Sequence, residues 1–247
     1  MMYRRVVASM VAAVALKVGF SAVMPPEALH VDVHGVAAYV VVVGGLYGII
    51  VAFLMFVVWD QFNRVQMALA KESSALENLC GVAGCLSELG SVKRIRLQTK
   101  QYVKSTAGDE PQRLAKRENS AIAQEHFGTL CRAVGGAEVK TERDRLVFDE
   151  LLRALSRAFE ARDERLGVSA TRIPGTLWKL VVFVSFVLFA GFLVLGVRSP
   201  VLSLAVVAAV GGSITFLLSV IKDMDNPFAG AWNVSYDVMT AAARRIG

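Results

Sequence analysis

The side chains best suited to holding a metal gather in one short stretch, His30-Val-Asp-Val-His34, with Glu27 nearby. Histidines four residues apart share a helix face and can ligate one ion. Here, however, the stretch falls in a short loop between apolar segments, where alternate residues point one way only if the chain is extended. It reads as solvated loop polarity, and no metal is expected. Three cysteines, Cys80, Cys85 and Cys131, are an odd number, and four residues separate the first two. That spacing matches neither a disulfide framework nor a zinc or redox pair, so they read as small helix residues in a reducing compartment. His126 stands alone in a polar helix and is expected to be solvated. There is no Gly-x-Ser-x-Gly elbow, phosphate-binding glycine loop or His-Glu-x-x-His pair. The chain is therefore not expected to be an enzyme or to carry a cofactor.

What the sequence offers instead is apolar length. Of its 247 residues, 55% are hydrophobic and 19% charged, where a soluble domain carries about a quarter charged. The charges crowd into one central block, as in a membrane protein with one polar domain. A bilayer core takes about 20 apolar residues in a helix. Gly35 to Trp59 supplies 25 uncharged residues, and Pro200 to Ile221 a second such run. Leu177 to Gly196 is a third, its one charge Lys179 lying near an end where it can snorkel. Val6 to Val23 is the fourth; Arg4 and Arg5 precede it as they would a signal peptide. No clean cleavage site follows, so a retained helix is expected, with Lys17 turned toward protein or water.

Orientation follows from the distribution of positive charge. The stretch from Met24 to His34 has no Lys or Arg, whereas Asp60 to Thr176 holds 19 against 16 Asp and Glu. Both termini and the central block are expected on the cytoplasmic side of the membrane. The domains expected are a first transmembrane hairpin over 1–59 (helices about 6–23 and 35–59), a helical cytoplasmic domain over 60–176, a second hairpin over 177–221 and a cytoplasmic segment over 222–247. The net charge of +6 follows from that topology. With no aromatic-interleaved basic groove, nucleic acid is not expected as a partner.

Within the central block the periodicity is helical. Phe62, Val65, Leu69, Leu76 and Leu79 recur at steps of three, four and seven, so the second membrane helix should continue beyond the bilayer. Glu110-Pro111 begins another helix, and Thr141 with Asp144 forms a capping box. Phe148, Leu151, Leu152, Leu155, Phe159 and Leu166 then make one apolar stripe, which Gly167 should stop. Ile173-Pro174-Gly175 returns the chain to the membrane. No strand is evident, and the fold class is all-α.

Three runs are more particular. Gly44, Gly45 and Gly48 put small residues along the second membrane helix, where they allow close helix approach. Trp59-Asp60-Gln61-Phe62-Asn63 places an aromatic and then polar groups at a membrane exit. After the last helix, Asp225-Asn226-Pro227-Phe228-Ala229-Gly230 stacks turn-forming and helix-breaking residues.

Together these runs resemble the bestrophin-like family of bacterial membrane proteins, distant relatives of bestrophin anion channels. The Trp59 run is similar to the Trp-Asn-Gln-Tyr-Glu that ends the second bestrophin helix. Glu72-Ser-Ser-Ala-Leu76-Glu-Asn-Leu79 looks like the acidic, leucine-spaced segment that follows in the bacterial family. Asp225, Asn226, Pro227 and Phe228, with Gly230, look like the Asn-Pro-Phe-Gly motif after the last helix. The resemblance covers roughly 35 to 240.

It implies a four-helix transmembrane bundle with a helical cytoplasmic domain, assembled as a homopentamer whose second helices line a pore for small anions such as chloride. Aligned on Trp59, the neck rings fall at Val41, Gly45 and Ile49, which span about 12 Å at 1.5 Å per residue. The sequence departs from the bestrophin pattern in having no Phe at those positions. It also lacks the acidic calcium cluster, since Ala231 to Val238 contains only Asp237. Two functional classes stay open: an anion-permeable channel in the bilayer, and a non-conducting scaffold or lipid-associated assembly of the same fold.

Overall fold

The computed structural model describes residues 2–23, 33–194, 199–229 and 232–246. Among them the helices are α1 (Met2–Val23), α2 (Val33–Ala83), α3 (Leu89–Gly108), α4 (Glu110–Ala115), α5 (Ala121–Gly135), α6 (Glu142–Ala170), α7 (Gly175–Val194), α8 (Pro200–Met224) and α9 (Asp237–Arg245). No strand occurs among the described residues. Stretches long and apolar enough to cross a membrane lie on α1, α2, α7 and α8. Of the metal-type ligands around His30, only His34 falls within the described residues. Glu27, His30 and Asp32 lie outside them.

The chain divides into two compact units, Met1–Trp59 with Ile173–Asp225, and Asp60–Arg172 with Asn226–Gly247. In the first, α1 packs along α8 and α7 meets α8. Glycines permit that approach. A Cβ on Gly211 would stand 3.0 Å from Ala13 Cβ, and one on Gly191 would stand 2.8 Å from the Tyr39 ring of α2. Lys17 turns toward protein as expected, donating to the Leu193 carbonyl at 2.6 Å near the end of α7. There the last carbonyls of a helix lack intrahelical donors. Tyr47, Val51, Leu54 and Val58 of α2 form the core of this unit with Val181 and Leu188 of α7 and Ile221 of α8.

The second unit begins with the rest of α2, which runs unbroken for 51 residues, about 77 Å at 1.5 Å per residue. Phe62, Val65, Leu69, Leu76 and Leu79 are all buried in its core, as their spacing predicts. Local signals fix the helix starts. Thr141 and Asp144 close a capping box on α6, and Pro111 occupies the first turn of α4. The Asp144 carboxyl also accepts the Ser87 amide at 2.9 Å, and that bond above all holds it down at about 2. Val234 and Met239, from the residues after α8, enter the same core.

One expectation about α6 fails. Gly167 does not stop the helix, which continues to Ala170. One glycine costs a helix interior only about 1 kcal/mol, whereas Pro174 disfavours helix just ahead of it. The apolar stripe coincides with the buried face in part. Leu151 is buried and Phe148 and Leu155 pack against the core, whereas Leu152 and Phe159 are exposed; beyond the capping Asp144, the rest of the buried face is Ala154, Ala158, Ala161, Arg165 and Ser169. Small residues bring the α6 backbone close to its neighbours and leave room for one long side chain, Arg165.

Candidate functional site

On the membrane half of α2, the positions aligned with a pore neck share one face. Val41 is 73% and Ile49 72% exposed, and a Cβ on Gly45 would meet open space. Val42, Leu46, Phe53 and Phe56 widen this apolar face, which no described residue of the chain covers. The opposite face, from Tyr47 to Val58, is the packed one. The glycines divide accordingly. A Cβ on Gly44 would touch Leu188 at 3.7 Å, whereas Gly45 and Gly48 have no neighbour within 4 Å. Packing within the chain therefore explains Gly44 alone. Trp59, at the end of this half, is 47% exposed.

The turn after α8 makes specific bonds in each unit. In the membrane unit, Asp225 accepts the Ile173 amide at 2.7 Å, joining the end of α8 to the residues that lead into α7. In the second unit, Asn226 donates to the Ala115 carbonyl at 3.0 Å and accepts from Arg172 at 3.2 Å. Arg172 also donates to the Ser169 carbonyl at 2.7 Å, so Asn226 joins α4 to the end of α6. The Pro227 carbonyl accepts from Val234 at 2.8 Å, and Phe228 packs against the unit's core. Gly230 lies outside the described residues. Asn226→Ala leaves the Ala115 carbonyl and Arg172 short of a partner. The expected loss is about 1–3 kcal/mol, read as a lower melting temperature in detergent; an unchanged melting curve would make the residue an ordinary turn former.

The unit also holds a buried charge cluster that the sequence analysis missed. Glu72 of α2, Glu110 of α4 and Arg165 of α6 are each 0% exposed. Arg165 Nε donates to Glu72, and its Nη1 stands 2.8 Å from Glu110 Oε2, an ion pair whose alignment falls short of hydrogen-bond geometry. Tyr102 of α3 donates to the other Glu72 oxygen. Arg162 reaches the Tyr102 hydroxyl at 3.1 Å and lies over Phe127 at 5.0 Å. Burial pushes the Glu110 carboxyl above the usual carboxylate range, against the pull of Arg165. Burial likewise raises the Tyr102 hydroxyl. For Arg165 burial acts downward, yet Glu72 and Glu110 outweigh it and hold the guanidinium above its ordinary value.

A signal for this cluster is present in the sequence. Val65, Leu69, Glu72, Leu76, Leu79 and Ala83 follow steps of four and three without a break, as do Leu151, Ala154, Ala158, Ala161 and Arg165. Each charge occupies a position where the period demands an apolar residue. Elsewhere in the unit Cys80 is buried, Cys131 half-buried, and Cys85 lies exposed in the turn after α2. His126 is half-buried on α5. No group of three metal-type ligands occurs among the described residues.

A family model described as the Bestrophin-like domain matches residues 7–239. Among solved structures, those of a bacterial Bestrophin homolog from Klebsiella pneumoniae are similar. One shares 11% identity at a TM-score of 0.75, covering 100% of this chain and 97% of that one. A Trp-to-Ala variant shares 10% at a TM-score of 0.78, with the same coverage. A Leu-to-Thr variant shares 11% at 0.76, covering 98% and 97%. At such identity the likeness is one of fold. No curated protein matches. The helix order, the four apolar stretches and the extent of the family match agree, and the chain belongs to the Bestrophin-like family.

Proposed function

We propose that this integral membrane protein is an oligomeric, anion-permeable channel whose neck is formed by α2. The observation that carries the proposal is the uncovered apolar face holding Val41, Gly45 and Ile49. In a homo-oligomer, pentameric as the bestrophin resemblance implies, equivalent faces would surround a common axis. Aliphatic rings can gate such a tube by dewetting. Selectivity for chloride would come from surrounding cations rather than from the neck. Lys179, exposed in the first turns of α7, and the basic excess of residues 60–176 supply that bias.

The proposed arrangement places both termini and residues 60–176 on the cytoplasmic side of a bacterial inner membrane. Hairpins 1–59 and 177–221 cross it, and the segment 222–247 returns to the cytoplasmic domain. The competing reading is a non-conducting scaffold or lipid-associated assembly, in which lipid covers the same face of α2. Ile49→Ala separates the two. A wider neck should raise chloride flux from reconstituted vesicles several-fold, while a lipid-facing truncation leaves flux at the background level. Absence of current in both wild type and variant, from folded and oligomeric protein, would overturn the channel.

A further inference from the structure

The second unit contains a recess of about 230 Å³ between α3 and α5, lined by Arg94, Gln98, Thr129, Arg132, Ala133 and Gly136. Some arginines of the unit face carboxylates: Arg64 with Asp60, Arg113 with Glu118, Arg157 with Glu150 and Arg245 with Glu77. Among the described residues, Arg94 and Arg132 form no ion pair, and no acidic side chain lines the recess.

Both guanidinium groups are nonetheless held in place. Arg94 Nη2 donates to the Gly136 carbonyl at 3.0 Å and to Ser91 Oγ at 3.3 Å. Arg132 Nη2 donates to Thr129 Oγ1 at 2.8 Å. These bonds involve neutral acceptors and one nitrogen of each group. A guanidinium has five N–H donors in a fixed fork, so Nε and Nη1 of both remain for a ligand. Much of the ordering cost of two long side chains is thus met before anything binds.

A second observation comes from Gln98, one turn after Arg94 on α3. Its Oε1 is buried and makes no hydrogen bond. A buried acceptor without a donor costs about 1–3 kcal/mol, and a ligand in the recess would relieve that cost. The amide serves either way round, because its O and N exchange places on a flip. It can accept from a hydroxyl of the ligand or donate to one of its oxygens.

We infer that this recess binds a doubly charged oxyanion, a phosphate monoester or a small dicarboxylate, which bridges α3 and α5 through Arg94 and Arg132. Two guanidinium side chains lining one recess match two anionic charges, and guanidinium pairs bidentately with both phosphate and carboxylate oxygens. A liquid water occupies about 30 Å³, so the recess has room for more than a bare phosphate ion. Nothing in this inference depends on whether the protein conducts.

The test uses the full-length protein in detergent, titrated calorimetrically with inorganic phosphate, with glycerol 3-phosphate and with succinate at constant ionic strength. Saturable binding of the phosphates alone assigns the site to phosphate monoesters, and binding of succinate as well assigns it to dianions generally. Arg132→Gln should weaken binding about tenfold or more, as loss of a charge-assisted bond implies. Arg132→Lys should recover only part, since an ammonium keeps the charge and loses the fork. Arg143→Gln removes an equal charge from the exposed start of α6 and should leave affinity unchanged. Gln98→Leu discriminates further: it should weaken binding without lowering the melting temperature of the free protein, because Oε1 has no partner to lose. Equal weakening by Arg143→Gln and Arg132→Gln, or no saturable binding by any of the three probes, would overturn the inference.

Discussion

Arg165→Met is expected to destabilise the second unit more than any other single change considered for this protein. Among the described residues, Arg165 is the one cation that both Glu72 and Glu110 face at ion-pair distance, and methionine of similar length leaves both carboxylates buried and uncompensated. Breaking a buried pair in this way costs about 3–5 kcal/mol, a large share of a domain's net stability. The loss should depend on pH. In the native protein the Glu110 carboxyl sits above its unfolded value because it is buried. The folded state therefore binds the proton more tightly, and stability falls as pH rises from the ordinary carboxylate value through the folded one. Without Arg165 this tendency grows, so the deficit of the variant should be largest near neutrality and shrink on acidification. Glu110→Gln, which cannot ionise, should remove its part of the slope. Circular dichroism melts of detergent-solubilised protein from pH 4.5 to 8 would show both effects. A loss below 1 kcal/mol that is flat with pH would mean that the cluster is hydrated and weak.

Gly211→Leu should have the next largest effect, in the membrane unit. A Cβ there would meet Ala13 Cβ at 3.0 Å and Phe189 Cε2 at 3.3 Å, and leucine adds three more carbons in the same direction. Ala13 cannot yield cheaply, since it has no rotamer to change. Overpacking of this kind costs about 1–3 kcal/mol and sometimes more. In lipid no hydrophobic gain offsets the lost contact between helices. The expected result is separation of α1 from α8, measured as a lower melting temperature and a new protease-sensitive site in the first hairpin. Gly19→Leu on α1, where a Cβ meets open space, is the matched control and should be nearly silent. Equal effects from both variants would show that the close approach at Gly211 is not what holds α1.

The four apolar stretches were legible because a bilayer sets a length, and few soluble patterns imitate 25 uncharged residues. The α2 core was legible for a second reason: Val65, Leu69, Leu76 and Leu79 are large, apolar and evenly spaced. Charge concealed the rest. Glu72 stands in the gap between Leu69 and Leu76, and a glutamate within a basic block is most simply taken as solvated. The apolar period hints at its burial, but the partner that makes that burial tolerable, Arg165, lies 93 residues away. On α6 size misled, because Leu152 and Phe159 outweigh Ala154 and Ala158 by hydrophobicity although close packing selects the smaller pair. The turn at Asp225 to Phe228 was visible as a stop signal. Its partners, Ile173 and Ala115, were not, since no local pattern records a bond across 52 or 111 residues.

The second unit is assembled from two separated lengths of chain, Asp60–Arg172 and Asn226–Gly247, and this imposes an order on biogenesis. When the ribosome has delivered Arg172, the buried seats of Val234 and Met239 are still vacant, as is the bond that Ser73 donates to Val238 at 3.2 Å. The residues that fill them follow the last apolar helix and leave the ribosome only after it. Completion of this unit is therefore a report that translation has passed the whole of α8. A nascent chain stalled there presents an open core to proteases and chaperones.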